Sequence, residues 1–209
     1  MTSMEDEREA VAEAPALART ILIRPSNDAD VPAMLAIYLQ HIAKGVGDIG
    51  TFPSQPLEAE DLKRRRKNMR NHRLPHLVAE VEGAIAGYAY AVPFRKRPAY
   101  RYTVKNSIYV HPDHLNAGVG RRLLPALIDA CTAAGCRQMI AYIDVVNEPS
   151  RRLHETFGFE QAGVLKAVGF KYGRWTDSIL MQRELGPGGM EPPDDGGGKA
   201  VAKTGRNGG

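Results

Sequence analysis

The stretch Tyr102–Arg122, YTVKNSIYVHPDHLNAGVGRR, joins an alternating segment, a short polar loop and a glycine-spaced turn that opens into a helix. Val104, Ile108 and Val110 share one face of the predicted strand, and Thr103, Lys105, Ser107 and Tyr109 share the other, as a period of two requires. Gly118 and Gly120 then let backbone amides point outward at a helix start, where unpaired N–H groups and the helix dipole attract an anion such as a diphosphate. Tight packing alone is the other use of such a glycine pair. Arg121 and Arg122 favour the anion, because bases in a first helical turn oppose the dipole unless a phosphate neutralises them. A strand edge beside a phosphate cradle suits a long phosphorylated cofactor.

Working outward toward the N-terminus, RKRPAYR is a basic, proline-containing connection into this strand. Before it, HLVAEVE and AIAGYAYAVPF read as two strands turning around Gly83. A helix is expected from about Leu57 to Asn71, with Ala59, Leu62, Arg66 and Met69 inward and a basic face in solvent. That face lacks an aromatic platform, so it reads as solvated rather than as a nucleic-acid surface. The loop GVGDIGTFPSQP is too rich in glycine and proline for regular structure. A first helix, capped by Asn27 and Asp28, should run to about Lys44 with Val31, Leu35 and Leu39 buried, preceded by the strand TILIRPS.

Toward the C-terminus, the helix from Gly118 should stop at Gly135, and QMIAYIDV is another strand. NEPSRRLHETF is a short helix capped by Asn147, in which Ser150 and His154 share a face beside Leu153 and Phe157. FEQAGVLKAVGF and RWTDSILMQREL form a closing hairpin around Lys171–Gly173. Residues 1–19, acidic and alanine-rich, are expected to be a flexible extension, residues 20–185 the folded domain, and the glycine-rich residues 186–209 a disordered tail.

The 43% hydrophobic and 25% charged shares are ordinary for a soluble chain, and no apolar run approaches a bilayer span. The acidic start MTSMEDERE is unlike a secretion leader, so a cytoplasmic protein is expected. Residues 1–19 carry −3 and 186–209 carry 0, so with a net charge of +4 the stretch between them holds +7, which suits a polyanionic ligand. Cys131 and Cys136 are five apart in a predicted helix, a spacing that neither brings them face to face nor matches a metal pattern. No metal is expected.

The element order resembles the GNAT acetyltransferase superfamily, and within it the phosphinothricin N-acetyltransferase group. The resemblance covers residues 20–185 and rests on Thr51–Phe52, RKRPAYR, SIYV, the GVG turn, NEPSRRLHETFGF and VGFKYGRWTD. It implies an α+β fold: a mixed, mostly antiparallel twisted sheet flanked by helices, with a splayed central strand pair. It implies acetyl-CoA as cofactor, with the backbone of Ile108, Tyr109 and Val110 along the pantetheine arm. Asn116, Ala117, Gly118, Val119, Gly120 and Arg121 would hold the diphosphate, and Asn147 with Ser150 would meet the cofactor from the far wall. The Val110 amide would stabilise an oxyanion. His154 stands where many members place a tyrosine that protonates the departing thiolate, a task imidazole can do near neutral pH. Thr51, Phe52, Arg101 and Lys105 would select the substrate.

Two departures from the family pattern stand out. Leu115 replaces a usual arginine or glutamine of the diphosphate loop, and Lys105 replaces the glutamate proposed as base. His154 or water could take the proton instead, Lys105 with Arg101 could bind an anionic group of the substrate, or amino-acid acetylation could be lost; Lys105 could also simply face solvent. The expected activity is direct acetyl transfer to the amino group of a small amino acid or analogue such as phosphinothricin or methionine sulfoximine. The alternatives are a protein or peptide N-acetyltransferase and a non-catalytic acyl-CoA-binding module. A homodimer joined through the terminal hairpin is expected, with no nucleic-acid or membrane partner.

Overall fold

The computed structural model describes residues 20–43 and 57–193. Seven strands form one sheet in the order β1-β2-β3-β4-β5-β7-β6, with β1 at Ile21–Pro25, β2 at His76–Val81, β3 at Ala84–Pro93, β4 at Thr103–Val110, β5 at Gln138–Asp144, β6 at Glu160–Lys171 and β7 at Arg174–Glu184. Every neighbouring pair is antiparallel except β4 and β5. Among the described residues four α-helices connect them: α1 at Val31–Ala43, α2 at Ala59–Asn71, α3 at Val119–Ala133 and α4 at Glu148–Thr156. This is the mixed, mostly antiparallel α+β arrangement expected.

Two cores lie on opposite faces of the sheet. Leu123, Leu124 and Leu127 of α3 pack on Ala89, Val104, Met139 and Ala141. On the other side, Met34, Ile37 and Tyr38 of α1, with Leu62 and Met69 of α2, cover Val78, Tyr88 and Tyr109. Tyr88 and Tyr109 are cross-strand partners whose rings stack with centroids 4.9 Å apart, a pairing that ties β3 to β4 beyond its hydrogen bonds. The stripe of α1 differs from the sequence reading: Leu39 is exposed, and Ile37 and Tyr38 are buried in its place. VPAMLAIYL is apolar almost all round, so its periodicity does not choose a face.

The cysteines also differ from expectation. α3 stops before Cys136, Gly135 reverses the chain at φ 84°, and the Cys136 N–H donates to the Cys131 carbonyl at 3.0 Å. The turn therefore brings the two buried, free thiols close enough to interact. Helical geometry does not extend past the helix end, so a five-residue spacing does not hold these two side chains apart. Among the described residues no helix is long and apolar enough to cross a membrane, and no cluster of His, Cys, Asp or Glu could hold a metal.

Candidate active site

β4 and β5 run side by side for only three residue pairs, ending at Lys105 and Ile140, and then part. The His111 N–H donates to the Ala86 carbonyl at 2.8 Å and the Phe94 N–H to the Thr103 carbonyl at 3.0 Å. These bonds fix the alternation: odd-numbered residues of β4 turn their peptide groups to β3, and even-numbered ones turn theirs toward β5. Beyond the fork, Ile108 and Val110 face the gap. A cavity of about 830 Å³ occupies it, and α4 forms part of its wall. The Val110 carbonyl accepts a hydrogen bond from His41 Nε2 on α1 at 2.8 Å.

At one end of the gap the chain enters α3. Asn116 and Gly118 both have positive φ, 60° and 85°, conformations that asparagine and glycine tolerate best. The first backbone bond of the helix runs from the Arg122 N–H to the Gly118 carbonyl at 3.1 Å. The amides of Val119, Gly120 and Arg121 thus have no partner within the helix, as at any helix start. A Cβ on Gly120 would lie 3.0 Å from Leu153 Cδ2 of α4, so glycine is what lets the two helices approach at the cavity edge.

Asn116, Gly118, Gly120, Arg121, Asn147 and Ser150 all line the cavity, as do Ile108, Val110, Lys105 and His154. Asn147 Oδ1 also caps α4, accepting from the Ser150 N–H at 3.2 Å. Tyr109 touches the cavity, but its peptide serves β3 and its ring belongs to the tyrosine core. Val119 is buried in the α3 core, and Ala117 is exposed outside the lining. Arg101 is not brought to the cavity; its guanidinium lies 4.5 Å from the Tyr102 ring centroid. Thr51 and Phe52 lie outside the described residues.

Lys105 sits on the α1 face of the fork, with Nζ 5.6 Å from the Tyr142 ring centroid, within cation–π range. Among the described residues no carboxylate pairs with it. Deeper on the same face, the buried Asp144 and Lys171 form an ion pair at 2.7 Å. Burial alone would raise the Asp144 pKa, but Lys171, the Val146 N–H and Thr176 together hold it below the usual carboxylate range.

On the opposite face of the fork, His154 is 2% exposed. Its Nδ1 lies 2.8 Å from the Ser150 carbonyl and its Nε2 2.9 Å from Asn106 Nδ2, and its ring meets Phe159 edge-on at 4.8 Å. Burial lowers its pKa, against a smaller opposing effect of the Ser150 carbonyl. Desolvation disfavours the charged ring, which works against the expected role of an imidazole titrating near neutral pH. Asn106, His41, Tyr142 and the Asp144–Lys171 pair were missed in the sequence. Only the interruption of an apolar strand face by Asn106 hinted at any of them.

The chain matches the family model described as Acetyltransferase (GNAT) family over residues 46–159. It is 44% identical to a phosphinothricin N-acetyltransferase of Alcaligenes faecalis over 82% of this chain and 86% of the relative. A Pseudomonas aeruginosa L-methionine sulfoximine/L-methionine sulfone acetyltransferase is 34% identical over 79% and 95%. Among solved structures, a phosphinothricin acetyltransferase from Sinorhizobium meliloti in complex with AcCoA superposes with a TM-score of 0.79 at 39% identity, covering 87% of this chain and 97% of that one. With the forked sheet and glycine-opened helix in place, these likenesses establish that the chain belongs to the GNAT acetyltransferase family.

Proposed function

We propose that the protein transfers the acetyl group of acetyl-CoA to the amino group of a small amino acid or amino-acid analogue of the phosphinothricin or methionine sulfoximine type. The observation that carries this reading is the fork, which leaves strand-edge peptides of Ile108 and Val110 at a cavity that ends on unpaired helix amides. Acetyl-CoA supplies the activated acyl group as a thioester. The fit is physical: the edge of β4 takes an extended amide-bearing arm, and the side-chain-free surface at Gly118 and Gly120 takes a diphosphate. Leu115 at this mouth is half exposed and adds no charge, so backbone amides and Arg121 do that work.

The Val110 N–H, on the gap side of β4, donates to negative charge that develops on the carbonyl oxygen during attack. Holding amine and thioester in one cavity makes the reaction effectively unimolecular. Lys105 binds the carboxylate of the acceptor from the α1 face, which also orients the amine toward the fork. His154 is neutral and has both ring nitrogens engaged, so the amine's proton leaves through water. Mass spectrometry of a panel of free amino acids, phosphinothricin, methionine sulfoximine and short peptides after incubation with acetyl-CoA tests the reading. Acetylated free amino acids or analogues are expected; acetylation of peptides alone would replace it with the protein-acetylating alternative.

Copies of the chain pair through the β6–β7 hairpin, in the cytoplasm, where two reduced cysteines are at home. Strand β6 is the sheet edge, and Val168, Phe170 and Trp175 on the hairpin are 46%, 51% and 66% exposed. An apolar, unpaired edge of this kind invites a second strand. Sedimentation velocity should show a dimer that Val168→Glu converts to monomer.

A further inference from the structure

We propose that Asn106 is a positioning residue that holds His154 as its Nδ1–H tautomer and offers its own Oδ1 to an N–H donor of a ligand at the fork. The identity of that ligand rests on the acetyl-transfer reading; the tautomer does not.

Asn106 follows Lys105, the last β4 residue paired with β5, and stands on the strand face shared by Val104 and Ile108. Asparagine is poorly suited to a buried strand, yet here it is only 6% exposed. Its amide reaches across to α4 and meets His154 Nε2 at 2.9 Å. The other ring nitrogen, Nδ1, meets the Ser150 carbonyl at 2.8 Å. A carbonyl only accepts, so Nδ1 carries a hydrogen. The neutral ring then has its lone pair on Nε2, and only the NH₂ end of Asn106 complements it.

That choice leaves Asn106 Oδ1 buried without a hydrogen-bond partner. A dry, unpaired carbonyl is unfavourable, and Asn106 lines the cavity, so an N–H donor bound there would satisfy it. The reversed amide would point Oδ1 at His154 Nε2 and would require a second ring proton. Burial opposes that charged form. The orientation of Asn106 is thus coupled to the charge of His154: a neutral ring leaves an acceptor facing the ligand, and a charged ring would leave a donor there. The donor that pairs with Oδ1 is either an amide N–H of the cosubstrate arm or the amino group of the acceptor.

The test is a long-range proton–nitrogen correlation spectrum of the full chain labelled with ¹⁵N-histidine, with His154→Gln assigning the resonance among six histidines. At neutral pH the wild-type ring should be protonated at Nδ1 and bare at Nε2. In Asn106→Asp, a carboxylate beside Nε2 should make it doubly protonated at the same pH. An Nε2–H tautomer in the wild type, or a neutral ring in Asn106→Asp, overturns the positioning role. These spectra need no turnover, so they stand or fall apart from the acetyl-transfer reading.

For the ligand, calorimetry with CoA and the acceptor KM are compared between wild type and Asn106→Leu, with Asn106→Ser as the variant if leucine does not fold. Losing one hydrogen bond should weaken one of the two by about five- to tenfold. Weaker CoA binding assigns the donor to the cosubstrate arm, and a raised acceptor KM assigns it to the amine. No change in either overturns the ligand role of Oδ1.

Discussion

His41 on α1 donates its Nε2–H to the carbonyl of Val110 at 2.8 Å, a contact between residues 69 positions apart. It fixes the Val110–His111 peptide at the end of β4, while the His41 ring meets Tyr109 at 5.6 Å. The Val110 N–H, the proposed donor to developing charge, belongs to the adjoining Tyr109–Val110 peptide, so holding the Val110 carbonyl steers that N–H through a single Cα, and its orientation matters more to the transition state than to the bound ligands.

His41→Ala should therefore lower kcat about five- to tenfold, the scale of one hydrogen bond, while the KM for acetyl-CoA changes little. Steady-state kinetics separates the two parameters. An unchanged kcat with a raised KM would make His41 a binding residue only.

The buried pair of Lys171 and Asp144 gives a stability prediction. Replacing Lys171 with methionine leaves a carboxylate buried beside the fork with no counter-ion, and this should destabilise the protein by about 3–5 kcal/mol. Lys171→Met combined with Asp144→Leu removes the isolated charge and should recover much of that loss. Urea denaturation of the single and double variants checks it; additive losses would show that the pair is not coupled.

A pH prediction follows from His76, stacked on Tyr90 with centroids 5.3 Å apart. Burial is the main cause that lowers its pKa to about 4, with Arg66 adding to it and Asp30 opposing. In the unfolded chain a histidine titrates near 6.5. Between those values the unfolded state binds more protons, so stability should be full above about pH 6.5 and decline as pH falls toward 4. The total contribution is on the order of 3 kcal/mol. His76→Phe keeps the stack and removes the titration, so its denaturation midpoint should fall less than that of the wild type over this window. Parallel curves would refute the assignment.

Much of the fold was legible because its signals are local. The period-two alternation of residues 103–110, the glycines that end or open helices, and the two-residue turn at Tyr172 and Gly173 each act within a few residues. The glycine-opened start of α3 at the cavity edge was legible for the same reason, since Asn116 to Arg121 are adjacent in the chain. The rest of the site was not. Asn106 meets His154 from 48 positions away, and Lys171 meets Asp144 only after β6 folds back beside β7. Such pairs are made by the sheet order, which leaves no spacing pattern in the chain. His154 was legible as a helix residue, but its burial was not, because the desolvation that lowers its pKa comes from distant elements closing around it.

The central claim is that the fork carries acetyl transfer to a small carboxylate-bearing amine, with Lys105 holding the carboxylate. The most direct measurement is the initial rate of thiol release from acetyl-CoA against acceptor concentration, for the wild type and Lys105→Ala. The account predicts saturable, acceptor-dependent release with phosphinothricin, methionine sulfoximine or a free amino acid, and an acceptor KM raised about tenfold or more in Lys105→Ala, as expected for a lost charged hydrogen bond. Binding of acetyl-CoA without release for any acceptor would contradict it, and would make the chain a binding module.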